Sequence, residues 1–274
     1  MCPEVEMGLG TPRETIRLER HGDGVRFVMP KSGTDHTEAM RSYAARRVAE
    51  LEKQDLSGYV LKKDSPSCGM ERVRIYDRGG VPARTGRGLF AEALIERFPE
   101  LPVEEEGRLG DARLRENFVE RVFAYRRLRS FFRPRWTVGG LVAFHTAHKL
   151  LLMAHSPEAY RSLGRVVASA KAADREALRA RYSSAFMKAM GVIATPGRHA
   201  NVLHHMLGHF SDALDAAERA EVLGLIEDHR KGLVPLVVPL TLVRHHARRL
   251  KVSYLLGQAY LDPHPKELML RNHV

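Results

Sequence analysis

The chain has 274 residues, 44% of them apolar, and a formal charge of +11, which excludes a disordered chain and leaves room for one large domain or two ordinary ones. Two cysteines exclude a secreted disulfide scaffold. The longest apolar stretch, residues 233–243, is too short to cross a bilayer and contains Pro235 and Pro239. No basic-then-apolar leader follows Met1, so these features point to a soluble chain of a reducing, cytoplasmic compartment, with no membrane partner. Charge is unevenly spread: residues 1–105 hold 17 Lys and Arg against 18 Asp and Glu, and residues 106–274 hold 27 against 15. Twelve of the 14 histidines lie from His145 onward. Two domains of different chemistry are expected.

In chain order, Ile16-Arg17-Leu18 and Val25-Arg26-Phe27-Val28 flank Gly22-Asp23-Gly24 and predict a hairpin. Met40, Tyr43, Ala44, Val48 and Leu51 make one stripe of a helix over residues 34–54. Residues 58–61 predict a short buried strand, so the loop Asp64-Ser65-Pro66-Ser67-Cys68-Gly69 leaves a strand's carboxyl end, where open α/β sheets place their ligands. Residues 73–76 predict another strand, residues 86–98 a glycine-rich loop running into a helix, and residues 101–103 a last strand. Pro99, Pro102, Gly107 and Gly110, with the acidic run Glu104 to Glu106, predict a boundary.

Beyond the boundary the pattern is helical. Residues 111–132 are amphipathic, with Leu114, Phe118, Val122, Tyr125 and Leu128 on one side. A second helix is expected over residues 137–154, and Ser156-Pro157-Glu158 is a helix start combining a capping hydroxyl, proline at the first position and an early acid. Further helices are expected at 173–190, 199–210, 212–231 and 238–260.

The cysteines lie in Cys2-Pro3-Glu4 and in the Ser65 to Gly69 loop. Free cysteine is usually a small buried apolar residue, whereas Cys68 neighbours serines and the basic pair Lys62-Lys63, a setting that favours the thiolate. Two thiols alone are a weak metal signal, since a closed structural zinc site needs four ligands. One reading makes Cys2 an exposed terminal residue and Cys68 a reactive loop thiol; the other makes both metal ligands. The longer texts Cys2-Pro3-Glu4-Val5-Glu6-Met7-Gly8-Leu9-Gly10-Thr11-Pro12-Arg13 and Lys62-Lys63-Asp64-Ser65-Pro66-Ser67-Cys68-Gly69 resemble the two central motifs of the thiouracil desulfidase family, TudS, over roughly residues 2–103.

The second half resembles the YbgA-like helical domain often fused to such domains. Its marks are Phe144 to Ser156, Asn201-Val202-Leu203-His204-His205 and Tyr260-Leu261-Asp262-Pro263-His264-Pro265. Together the resemblances imply a Rossmann-like α/β domain over residues 1–106 and an all-α domain over residues 107–274. They imply a [4Fe-4S] cluster held by three cysteines, with one open iron taking the sulfur of a thiolated base or nucleoside. Such an iron is a soft Lewis acid that prefers sulfur to oxygen. Cys2 and Cys68 match two of the ligands. Glu4 matches the acid beside the cluster, a general base or proton shuttle, and Ser65 the serine that orients substrate. Ser67 is the alternative to Ser65, its side chain being suited to capping the turn.

The third cysteine has no counterpart in this chain. In the family it follows a first strand, and a helix and second strand then lead into Cys-Pro-Glu; here Met1 stands immediately before that motif. The N-terminal domain is therefore expected to lack its first strand and helix. The favoured explanation is a start assigned too late, because losing a central strand exposes apolar edges.

His145, His148 and His155 return to nearly one side of a helix, which allows a metal site, with His204, His205, His209, His245 and His246 as further donors. No His-Glu-x-x-His pattern accompanies them, and histidine pairs also serve as hydrogen-bonding interface residues. An anion site at His148, Lys149 and nearby arginines is the preferred alternative. Eight arginines between residues 113 and 135, interleaved with Phe131, Phe132 and Trp136, suit either a solvated basic face or an RNA-binding one. The competing functional reading is thus a nucleic-acid or phosphate-binding helical module behind an inactive N-terminal domain.

Overall fold

The computed structural model describes residues 1–273, which divide into two compact units, residues 1–110 and residues 111 onward. The N-terminal unit is α/β and the C-terminal unit is helical.

In the N-terminal unit the expected hairpin is β1 (Arg17–His21) and β2 (Gly24–Met29), paired antiparallel from Arg17 opposite Val28 to His21 opposite Gly24. Gly22 turns the chain at φ 57°, a conformation glycine adopts without a side-chain clash. The stretch expected to open the first helix pairs instead with β2 as β3 (Thr34–Asp35), so α1 runs Thr37–Glu52. Asp35 accepts from the Thr37 amide at 2.9 Å and thereby separates strand from helix. The helix buries Met40, Tyr43, Ala44, Val48 and Leu51, the stripe expected from the sequence.

The remaining strands are β4 (Tyr59–Leu61), β5 (Val73–Tyr76), β6 (Pro82–Gly86) and β7 (Val103–Glu105), with α2 at Leu89–Arg97. They form two sheets: a five-stranded one in the order β3-β2-β1-β5-β6, with only β1 and β5 parallel, and a separate parallel pair β4-β7. Strand β6 was not expected, because its run Pro82-Ala83-Arg84-Thr85-Gly86 is short of apolar residues and almost wholly exposed. The acidic run read as part of a boundary is largely β7. Glu104 and Glu105 are buried in it, each held by hydrogen bonds from other parts of the unit.

The helical unit contains α3 (Ala112–Phe131), α4 (Val138–His155), α5 (Pro157–Ala168), α6 (Arg175–Met190), α7 (Pro196–Leu207), α8 (Ala216–Arg230), α9 (Val237–Arg249) and α10 (Ser253–Leu256). Side chains cap the starts of α3 to α8: Asp111, Thr137, Ser156, Asp174, Thr195 and Asp215 each accept from a first-turn amide, and Asp215 with Glu218 completes a capping box. Thr195-Pro196 repeats the Ser156-Pro157 signal, which explains why α7 begins earlier than its apolar pattern predicts. The helix expected over 238–260 breaks after Arg249, where Lys251 takes a left-handed φ of 54° and α10 restarts at Ser253. Leu141, Leu150, Leu151, Tyr182, Phe186 and Met190 form a core between α4 and α6. Among the described residues no helix is long and apolar enough to cross a membrane.

Candidate functional site

The N-terminal segment and the loop after β4 converge on one carboxylate. Glu4 is 8% exposed. Its Oε1 accepts from Ser67 Oγ at 2.7 Å and more distantly from Ser65 Oγ at 3.4 Å, while the Arg13 guanidinium forms a short ion pair with Oε2. Arg13 also reaches the Gly10 carbonyl at 3.1 Å and stands 4.0 Å from Cys2 Sγ. Sequence reasoning left Arg13 without a role, although it ends the first motif; nine residues separate it from Glu4, and only the turn through positive-φ Gly8 and Gly10 brings it back.

The two serines make different contacts, and it is Ser65 rather than Ser67 that caps the turn. Ser65 Oγ caps the turn, accepting from the Ser67 and Cys68 amides at 3.3 and 3.2 Å. Ser67, only 1% exposed, is the direct donor to Glu4 and lies 3.6 Å from Cys68 Sγ. The hydroxyls lie 2.9 Å apart, so one hydrogen-bonded line runs Ser65, Ser67, Glu4, Arg13.

Cys68 is 8% exposed, and burial pushes its thiol up to about 11, with Glu4 and Cys2 adding to the shift and the Ser67 hydroxyl opposing it. The expected thiolate setting is therefore not found. The Lys62 charge is instead paired with Glu106 at 2.7 Å. Deprotonating Cys68 here requires a cationic partner such as a metal ion. Cys2 is exposed.

The loop is fixed by backbone contacts. The first amides of α2 donate to it, Leu89 to the Pro66 carbonyl at 3.2 Å and Phe90 to the Ser67 carbonyl at 2.9 Å, and Glu105 of β7 accepts from the Met70 amide at 2.8 Å. Gly88 allows this approach: a β-carbon there would lie 2.4 Å from the Ser67 carbonyl carbon and oxygen and 2.6 Å from the Cys68 nitrogen. Gly88→Ala is expected to push the loop off α2, costing about 1–3 kcal/mol as overpacking does. Thermal melts and side-by-side activity assays check this; unchanged melting and activity would contradict it.

A [4Fe-4S] cluster generally takes four thiolates, and the open-iron form expected from the sequence takes three. Cys2 and Cys68 are two, and among the described residues no group of three His, Cys, Asp or Glu side chains is placed to hold a metal ion. These residues do not by themselves complete a cluster site. After anaerobic incubation with iron and sulfide, the chain is expected to retain less iron than a full cluster contains and to lose it readily to a chelator. A stable, full complement of iron and acid-labile sulfide would contradict this.

The helical unit separates the residues expected to act together. His145 Nδ1 meets the Tyr182 hydroxyl at 3.1 Å, His148 lies between the Phe144 carbonyl at 2.7 Å and Arg127 Nε at 3.1 Å, and His155 bridges the Val192 carbonyl at 2.6 Å and Glu120 at 3.1 Å. They share one side of α4, but each is turned to a different neighbour. This corrects the reading of a shared metal site. Lys149 is half-buried beside them. The aromatic residues of the arginine helix are not available for stacking on bases: Phe132 and Trp136 are buried, and Phe131 stacks on Phe144 at 5.1 Å.

His155 belongs to a buried network around Glu120, which Arg271 binds at 2.6 Å. Burial opposes charge on Glu120, yet Arg271 and His155 outweigh it and hold the carboxyl far below the usual range. Nearby, His199 accepts or donates at 2.8 Å with Tyr260, and the group surrounds a cavity of about 100 Å³. Burial lowers His145 and His148 to about 4 and His199 to about 3. A depressed histidine pKa means that, between its unfolded value near 6.5 and these folded values, the unfolded chain binds more protons, so stability rises with pH. The helical unit is expected to melt at progressively lower temperature as pH falls from 6.5 toward 4, with Glu120 adding a further loss below about 4.5. Melting temperatures recorded from pH 7 to 4 check this, and a flat profile would contradict it.

Comparison with known proteins places both units. The family model described as 2-thiouracil desulfurase matches residues 1–106, and that of a protein of unknown function, DUF1722, matches residues 149–265. The uncharacterized protein YbgA of Escherichia coli K12 is 30% identical over 161 residues, covering 58% of this chain and 95% of YbgA. The uncharacterized protein YbbK of Bacillus subtilis 168 is 36% identical over 73 residues, which is 25% of this chain and 48%, about half, of YbbK. No solved structure matches.

Proposed function

Because the chain belongs to the YbgA family and joins that helical unit to a 2-thiouracil desulfurase unit, we propose that its N-terminal unit removes sulfur from a thiolated pyrimidine base or nucleoside by hydrolysis. The observation that carries this is the convergence of Cys2, Glu4, Ser65, Ser67 and Cys68, from segments over 60 residues apart, around one buried carboxylate.

The reaction converts a thiocarbonyl and water into a carbonyl and hydrogen sulfide, with no net change of oxidation state. Arg13 occupies Glu4 Oε2, so Oε1 is the oxygen left to take a proton from the attacking water, directly or through Ser67. Half-buried Ser65, its oxygen accepting two amides, meets a substrate edge by turning its hydroxyl proton away from Ser67, 2.9 Å from it. Cys2 and Cys68 are the two sulfur ligands this chain offers to a [4Fe-4S] cluster.

The experiment is sulfide release from 2-thiouracil, 4-thiouracil and 2-thiouridine, assayed anaerobically in sulfide-free buffer after the chain has been incubated with iron, sulfide and a small thiol and freed of the excess. Sulfide and the matching oxo-pyrimidine in equal amounts are expected from at least one of them. A folded chain that releases sulfide from none would overturn the proposal.

A further inference from the structure

The helical unit has a groove between α4, α5 and the turn that follows α5. Lys149, Arg161, Arg165 and Lys171 line it, and no carboxylate does. Among the described residues none of these four side chains makes a hydrogen bond or ion pair, while elsewhere in the chain arginines commonly pair with acids, as Arg230 does with Glu227 and Arg249 with Glu218. Four like charges gathered without counter-charge repel one another, and an anion relieves that repulsion.

The groove floor carries a buried polar atom with no partner. His145 is 4% exposed, and its Nε2 has no hydrogen-bond partner. Its Nδ1 meets Tyr182, whose hydroxyl is fully buried and has no other partner among the described residues, so the phenol donates to Nδ1 and leaves the imidazole proton on Nε2. That atom faces Gly164, where the place of an added β-carbon lies 3.9 Å away. Burial and Lys149 keep the ring neutral, so it is a donor without adding a fifth charge. Beside the cations stand apolar Val138 and exposed Val142, and the Tyr160 ring lies parallel to His145 with centroids 6.3 Å apart. The groove measures about 670 Å³, within the range of small-molecule sites.

We propose that this groove binds a nucleoside monophosphate, its phosphate held by Lys149, Arg161, Arg165 and Lys171 and its base laid on Val138, Val142 and Tyr160. The site is independent of the reading of the N-terminal unit.

Calorimetric titration of the full chain with uridine 5′-monophosphate, uridine, inorganic phosphate and a 12-nucleotide RNA tests it, at low and at physiological salt. The monophosphate is expected to bind more tightly than either uridine or phosphate, with affinity falling as salt rises. In the Arg161→Glu/Arg165→Glu double variant, both positions being exposed, affinity is expected to fall at least tenfold, with the melting temperature and desulfurase assay unchanged. A folded chain that does not bind the monophosphate at low salt would overturn the proposal. So would binding indifferent to the double variant, or binding of the RNA without the monophosphate.

Discussion

Glu4→Gln is expected to slow sulfide release from the best thiopyrimidine by about 10²–10⁴-fold, the range general-base removal usually costs, with little change in melting temperature. Glutamine has nearly the shape of glutamate and still accepts a hydrogen bond from Ser67, so the turn through Ser65 and Ser67 keeps its anchor. What is lost is the oxygen that can hold a proton. Because Oε2 is taken by Arg13, the carboxylate has one working face, and neither serine can substitute for it as a base at neutral pH. Arg13→Met should have a smaller effect, since it frees Glu4 to turn away without removing the proton acceptor. A Glu4→Gln chain with native rate would mean that the carboxylate only holds the loop.

Arg271→Met is expected to destabilise the helical unit by about 3–5 kcal/mol, the usual cost of stranding one partner of a buried ion pair. Arg271 and Glu120 side chains are 4% and 3% exposed, so solvent screens their attraction little and cannot rescue the charge left behind. The same arginine donates to the Tyr260 carbonyl at 2.7 Å and lies 5.0 Å above the Tyr260 ring, tying the segment after α10 to α3. For a unit of this size the loss corresponds to a fall in melting temperature of roughly 10 °C. Glu120→Gln should destabilise too. Combining the two changes should cost less than their sum, because the second removes a charge that the first left unpaired. Strict additivity in a double-mutant cycle would show that the pair does not interact.

What the sequence revealed depended on how local the cause was. Ser156-Pro157, Gly22-Asp23-Gly24 and the stripe of Met40 to Leu51 act over a few residues, and the structure bears them out. The motif around Cys2 and the Ser65 to Cys68 loop showed that chemistry gathers there. It did not show that Ser65 caps the turn while Ser67 meets Glu4, because Glu4 stands 63 residues from Ser67 in the chain. Helical periodicity correctly put His145, His148 and His155 on one side of α4. Their partners Tyr182, Arg127 and Glu120 come from α6 and α3, which no spacing within α4 can reveal. The acidity of residues 104–106 marked a boundary and gave no sign of a buried strand, yet Glu105 is buried to hold the Met70 amide 35 residues away in the chain. Strand β6 lacks the apolar alternation that marks a strand and exists because β5 offers it a free edge.

The most direct test of the desulfurase reading is the origin of the new oxygen. When 2-thiouracil is turned over in water enriched in oxygen-18, hydrolysis predicts uracil carrying one solvent oxygen at position 2 and one sulfide released per uracil, with both lost together in Glu4→Gln. Uracil formed without the label, or labelled uracil formed at the native rate by Glu4→Gln, would contradict it.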